Sequence, residues 1–227
     1  MRPKKNSSPP GPLSGLLALV SGQSRSGKSF WTAQRVAREP RLLVWDSMRE
    51  FSLDYRCREV RTPAELHRVA LSSAPARIGY AVPVSAGSFD TFCRLAWVWL
   101  RVNARAGHSV AIVVEEMADV TTPGKAPPAW GEIVRKGLRF GPRIYALTQR
   151  PAESDKTVVG NANLLHCHAM ARADDARYMA RELRVDPARV DALRLDRFEW
   201  LELDRRTRVL TAGGKGLPVR TVAAAQT

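Results

Sequence analysis

The chain has 227 residues, 44% of them hydrophobic, which suffices for one sizeable core and excludes two large domains. Its formal charge of +14 favours a polyanionic partner, nucleic acid first and an anionic membrane surface second; an arginine-rich source genome would scatter basic residues in the same way. Cys57, Cys93 and Cys167 share no metal-type spacing, which argues against a disulfide framework and for a reducing compartment, and no apolar run approaches the ~20 residues of a membrane span or forms a signal-peptide core.

Residues 1–14 combine basic side chains with Ser, Pro and Gly, too little apolar surface to order a segment, and read as a flexible basic arm. The folded domain is expected over 15–212, with 213–227 as a flexible tail. Leu16 to Ser21 reads as a strand, and Gly22-Gln23-Ser24-Arg25-Ser26-Gly27-Lys28-Ser29 follows it directly, matching the phosphate-loop pattern G-x-x-x-x-G-K-[ST] at each fixed position. Glycines at both ends let backbone N–H groups wrap a phosphate, Lys28 reaches the β- and γ-oxygens, and the Ser29 hydroxyl ligates Mg²⁺. The chain is therefore expected to bind ATP or a related nucleotide with Mg²⁺.

Lys28 to Arg38 is the expected helix after this loop, and Arg41 to Trp45 a second strand ending on Asp46. This alternation is the βαβ signature of an α/β fold with a mainly parallel sheet. Thr62-Pro63 opens a short helix to Leu71 as N-cap and first helical residue, and Arg77 to Val82 is a further strand. The longest helical pattern is Ser88 to Ala106, where Phe89, Phe92, Cys93, Ala96, Trp97 and Leu100 recur at helical spacing, so Trp97 and Trp99 read as packing residues.

Val110 to Val114 is an apolar, β-branched run of the doubly buried kind and ends on Glu115-Glu116, which places two carboxylates at the edge where open α/β sheets hold ligands. Glu115 can serve the Mg²⁺ shell through water and Glu116 can activate an attacking water. Between Asp119 and Ala129 a Pro- and Gly-rich loop leaves this edge; it reads either as a surface loop or as a DNA contact through Lys125. Arg143 to Thr148 carries Gln149 to the same edge, as a γ-phosphate sensor or as a simple strand end before Pro151. Leu164 to Met170 is a further strand; within it alternation sends His166 and His168 to one face and Cys167 to the other, a packing pattern more than a metal site. Helices are expected over Asp174 to Leu183 and Pro187 to Leu193, and Phe198 to Leu203 with Thr207 to Leu210 form a C-terminal β-hairpin.

Taken in order, GQSRSGKS, AIVVEE and RKGLRFGPRIYALTQRP resemble the motifs of the FtsK–HerA superfamily of DNA-pumping P-loop ATPases. The resemblance runs from about Leu16 to Leu210. Within the superfamily, EEMADVTTPGKAPPAWGEIVRKGLRFG and TQRPAESDKTVVGNAN look most like the genome-packaging ATPases of tailless, membrane-containing icosahedral phages. This resemblance implies a RecA-like P-loop NTPase core, a ring of identical subunits, usually a hexamer, and ATP-driven movement of double-stranded DNA through its pore. It further implies a capsid or membrane-vertex partner, and a place in the host cytoplasm or at a vertex of the virion. Lys28 and Ser29 become the phosphate and Mg²⁺ residues, Glu115 the metal-shell carboxylate where relatives commonly have Asp, Glu116 the base and Gln149 the sensor. Relatives place an arginine finger where Leu138 stands here, which leaves Arg139 or Arg135 for that role, with Arg139 preferred.

Other functions share parts of this pattern. Conjugation, helicase or filamentous-phage export ATPases of the same superfamily usually carry extra domains or a membrane helix; a small-molecule P-loop kinase would want an arginine-rich lid and an acceptor pocket; a nucleotide-dependent scaffold would bind without turnover.

Overall fold

A computed structural model describes residues 15–48 and 51–222. Its centre is a ten-stranded sheet. The strands are β1 (Leu16–Ser21), β2 (Arg41–Trp45), β3 (Arg58–Val60), β4 (Ala76–Tyr80), β5 (Ala111–Val114), β6 (Arg143–Thr148), β7 (Leu164–His168), β8 (Trp200–Asp204), β9 (Val209–Gly214) and β10 (Leu217–Val222). They lie in the order β10-β9-β8-β7-β1-β6-β5-β2-β4-β3. The seven from β7 to β3 are parallel, and β8, β9 and β10 extend them as an antiparallel meander.

Strand β1 pairs with β6 from Leu16↔Arg143 to Ser21↔Thr148 and with β7 from Ala18↔Leu164 to Ser21↔Cys167. Its run Leu-Ala-Leu-Val is wholly buried because both faces are covered, as all-parallel sheets require. Alternation divides the strand between two cores. Leu17 and Leu19 join the larger core, on the face that α3 (Pro63–Ala70), α4 (Ala86–Arg105), α5 (Pro128–Lys136), α6 (Lys156–Asn161) and α7 (Ala173–Leu183) cover. Ala18 and Val20 pack under α1 (Lys28–Val36) and the turn after α2 (Phe51–Asp54).

Local chemistry sets the helix ends. Thr62 caps α3 by accepting from the Glu65 N–H, with Pro63 in the first turn. Helix α4 opens with a reciprocal Ser85–Ser88 capping box and buries Phe89, Phe92, Cys93, Ala96, Trp99, Leu100 and Asn103 along one stripe, the spacing of a core-facing helix. Trp99 is fully buried, and Trp97 packs edge-on against Phe140 at 5.8 Å. A short helix α8 (Pro187–Asp191) follows α7.

Several elements differ from the sequence expectation: α2 and β3 are not among the expected elements, β7 and α8 end two residues early, and β8 begins at Trp200. Helix α1 ends at Val36, two residues early, and the expected C-terminal hairpin is present as β8 and β9 but is extended by a further strand into a three-stranded meander. Its third strand, β10, occupies part of the expected tail and turns at Gly216, whose φ of +73° suits a residue without a Cβ. Five of its six residues are exposed and one is Pro218, so it lacks the apolar alternation that marks a strand. The basic arm and residues 223–227 lie outside the described residues.

Candidate nucleotide site

The carboxyl ends of β1, β5 and β6 converge on one rim of the sheet, and the phosphate loop lies between β1 and α1. At Gly22 a Cβ would fall 2.5 Å from the Ser26 hydroxyl and 2.7 Å from His168 Cβ, so only glycine lets the loop turn there. Gly27, at φ +102°, opens α1 in the left-handed region. The loop is pinned on both flanks, by the Gly22 N–H to Thr148 O at 3.3 Å and the Gln23 N–H to Ala169 O at 2.9 Å.

Lys28 is only 5% exposed, and its ammonium donates to the Gly22 carbonyl at 2.8 Å and the Gln23 carbonyl at 3.0 Å. Burial lowers its pKa, and Glu116 and Glu115 oppose that shift. Two features fit a phosphate. The buried Ser26 hydroxyl has no hydrogen-bond partner, and no side chain caps the start of α1, which leaves first-turn N–H groups directed at an anion. Gln23 and Ser29 are half-buried, and Ser24 and Arg25 are exposed.

Glu115 is fully buried just beyond β5. One carboxylate oxygen accepts from the Ser29 hydroxyl at 3.4 Å and the other accepts from the Tyr55 hydroxyl. Burial raises its pKa to about 8; the Tyr55 hydrogen bond opposes this, and neighbouring Glu116 adds to it. Ser29 and Glu115 form an oxygen-only donor set suited to a hard cation such as Mg²⁺. Glu116 stands at φ 45°, ψ 57°, a left-handed conformation that is costly for a long side chain and concentrates at functional sites. Its carboxylate accepts from the Gln149 amide at 2.8 Å.

The residues around Gln149 hold it in place. The Thr148 hydroxyl bonds Ser154 at 2.8 Å and accepts from the Arg150 N–H at 3.0 Å, while Arg150 Nε donates to buried Asp175 on α7 at 2.8 Å. Alternation along the strand then sends Gln149 toward Glu116. The structure thus brings Lys28, Ser29, Glu115, Glu116 and Gln149 together. Sequence reasoning missed Tyr55, which lies in an irregular stretch with no motif around it.

Arg139 does not join this rim. It is exposed on the turn Gly137–Phe140, with its guanidinium 4.8 Å over the Phe140 ring. The adjacent Leu138 carbonyl accepts from the Gly15 N–H at 3.1 Å, at the beginning of β1. The length of β1, roughly 20 Å at about 3.3 Å per residue, separates that turn from the phosphate loop. Arg135, in the last turn of α5, is also exposed. Lys125 is exposed beside a groove of about 690 Å³ that Arg135 and Lys136 also line. Its loop is anchored to α6 by the Lys156 N–H to Gly124 O at 3.0 Å and the Ala126 N–H to the Thr157 hydroxyl at 3.1 Å.

His166 and His168 share a face as alternation requires, with their Nε2 atoms 3.2 Å apart. His166 stacks on Trp31 at 3.9 Å and bonds Glu202 through Nδ1 at 2.9 Å. Among the described residues no group of three His, Cys, Asp or Glu side chains could hold a metal ion.

Protein P9 of Pseudoalteromonas phage PM2 is 34% identical over 178 residues, covering 77% of this chain and 78% of that protein. The chain belongs to the FtsK–HerA superfamily of P-loop ATPases, in its branch of viral genome-packaging enzymes. It is an ATPase of that family. No family model matches the sequence. Solved structures agree in fold. The genome packaging NTPase B204 of Sulfolobus turreted icosahedral virus 2, in complex with ATP-gammaS, superposes with a TM-score of 0.69 at 15% identity, over 89% of this chain and 98% of that one. B204 of Sulfolobus turreted icosahedral virus, described as a DNA-packaging ATPase, gives 0.63 at 15% identity, over 92% and 97%. The expected mainly parallel P-loop core is therefore present. No helix among the described residues is long and apolar enough to cross a membrane.

Proposed function

We propose that this packaging-family ATPase hydrolyses ATP to drive double-stranded DNA into a preformed viral capsid. It acts as a ring of identical subunits, six in the expected form, docked at a capsid or membrane vertex in the host cytoplasm or on the virion. The observation that carries the hydrolytic reading is the pairing of Ser29 with Glu115 and of Gln149 with Glu116 beside one phosphate loop. A γ-phosphoryl acceptor other than water would need its own binding groups at that rim, whereas a carboxylate oriented by an amide suits a lytic water.

The loop N–H groups and the Ser26 hydroxyl hold the phosphates, and Lys28 moves from the loop carbonyls to the β- and γ-oxygens. Mg²⁺, held by Ser29 and in its outer shell by Glu115, would neutralise charge on those oxygens. Glu116 orients the water and accepts its proton, while Gln149 holds the Glu116 carboxylate and registers an intact γ-phosphate. Lys125, Arg135 and Lys136 offer cationic contacts to the DNA backbone, insensitive to base sequence and weakened by salt.

The test is phosphate release with and without long duplex DNA. DNA should accelerate the wild type, and Glu116→Gln should lower kcat by ~10²–10⁴, the range for a positioned general base, while nucleotide binding persists. Phosphoryl transfer to a small acceptor, or nucleotide binding with no turnover in the wild type, would overturn the motor reading.

A further inference from the structure

The sheet order places the hydrolytic residues on one flank of the phosphate loop only. Strand β1 delivers the loop, β6 and β5 on one side deliver Gln149 and the two glutamates, and β7 and β8 lie on the other side. A triphosphate laid along the loop with its γ-phosphate at Glu116 must direct its nucleoside toward β7 and β8. There the structure has an open cleft of about 600 Å³, walled by Gly27, Phe30, Phe198, Trp200, Gly214 and Lys215, within the size range of small-ligand sites.

The chemistry of this cleft is aromatic. Phe30, immediately after Ser29, is 69% exposed, and Phe198 is 41% exposed, so both rings are uncovered beside the loop. Phe198 is held at φ 49°, ψ 37°, a left-handed conformation that is unfavourable for a bulky residue. Backbone hydrogen bonds impose it, from Phe198 N–H to Leu195 O at 3.1 Å, Glu199 N–H to Arg194 O at 3.1 Å and Lys215 N–H to Arg197 O at 2.7 Å. The result aims the ring at the loop, with Phe198 Cδ1 3.3 Å from where a Cβ on Gly27 would stand. The His168 ring, which also lines the cleft, has its nitrogens engaged by His166 at 3.2 Å and the Glu199 carbonyl at 3.3 Å. Gln34 and Lys215 supply the remaining polar side-chain groups.

We propose that this cleft is the nucleobase subsite, in which the base of the bound nucleotide stacks against Phe30 and Phe198 with Lys215 beside it. This deepens the hydrolytic reading and rests on its placement of the γ-phosphate. Recognition is then chiefly by ring stacking, which tolerates any base because each has a π-face.

The experiment compares binding of ATP with binding of inorganic tripolyphosphate, both with Mg²⁺, to the full chain. In the wild type ATP should bind at least ~10-fold more tightly, as stacking on one or two aromatic rings supplies. Phe30→Ala and Phe198→Gly should each move the ATP to tripolyphosphate ratio toward one by weakening ATP alone, and Phe30→Tyr should preserve it. Glycine at position 198 keeps the left-handed backbone accessible; if that variant does not fold, the exposed Phe30 carries the test. A ratio unchanged by Phe30→Ala, or a wild type that binds both probes equally, overturns the base subsite and leaves the phosphate site standing. Binding of neither probe by the wild type overturns the hydrolytic reading itself.

Discussion

Tyr55 stands sixty positions before Glu115 in the chain, yet its hydroxyl donates to that carboxylate inside the fold. Both side chains are all but inaccessible, with Tyr55 1% and Glu115 0% exposed, so this donor and Ser29 do for Glu115 what water does for a surface acid. On the proposed role of Glu115 in a Mg²⁺ shell, Tyr55 is a positioning residue, because it acts through that carboxylate. Replacing it with Phe keeps the ring volume and removes one donor. Outer-shell losses of this kind typically cost 10–100-fold in metal affinity, so Tyr55→Phe should raise the Mg²⁺ concentration for half-maximal ATP turnover by about that factor, with the melting transition little changed. An unaltered Mg²⁺ dependence would leave Tyr55 a packing residue. Sequence could not have found it: Glu115 and Lys28 announce themselves by motif, whereas Tyr55 owes its place to the pairing of β2 with β5, a long-range fact.

Strand β7 shows what is and is not legible at the scale of an element. Alternation correctly separates Cys167 from His166 and His168, because period two holds in any strand. It does not reveal that β8 runs antiparallel alongside and brings Glu202 opposite His166. Nor does it reveal that α1 lays Trp31 on His166 and Arg35 on Glu202. The same limit hid β10, an exposed edge strand without apolar alternation, and α2, a single turn. By contrast β1, β5 and β6 were readable because strands buried on both faces must be continuously apolar. The buried histidines carry a consequence for pH. Burial lowers the pKa of both, His168 to about 2 with His166 and Lys28 adding to the effect, and His166 well below its usual value with Arg35 adding. The unfolded chain takes up protons near pH 6.5 where the native state does not, so stability is retained above that pH and lost as pH falls below it. Two such groups lose about 4 kcal/mol between pH 7 and 5. Glu115 and Glu202, whose pKa values burial raises, that of Glu115 to about 8, act in the opposite direction and offset much of this, because they bind protons more readily in the folded state. The imidazole resonances of His166 and His168 in the folded protein should therefore stay unshifted between pH 7 and 5, and titration of either in that interval would contradict neutral burial of the pair.

For the whole molecule, the decisive feature is the polarity of the sheet. Its carboxyl rim carries the phosphate loop, the two glutamates and Gln149, while Arg139 stands by the opposite edge, where Leu138 meets Gly15. An arginine there cannot reach its own nucleotide, so a γ-phosphate whose charge Arg139 stabilises must belong to a neighbour's site in an assembly. In NTPases such a cation supplied in trans is worth ~10³ or more in kcat. On the proposed ring with Arg139 as the donor, the active unit is the interface between subunits, and hydrolysis per chain should rise with protein concentration until the ring closes. Complementation separates this from a folding effect. Arg139→Ala should bind ATP normally yet turn over ~10³-fold more slowly, and Glu116→Gln should be inactive for its own reason. Each variant retains what the other lacks: the Arg139→Ala subunit has an intact acidic pair, and the Glu116→Gln subunit has an intact arginine. Mixing the two before assembly should restore a sizeable fraction of wild-type phosphate release, with a maximum at intermediate ratios. If the mixture stays inactive although both variants assemble, Arg139 is not the donor. Recovery with Arg135→Ala in place of Arg139→Ala, together with an Arg139→Ala variant that is itself active, would move that role one helical turn earlier.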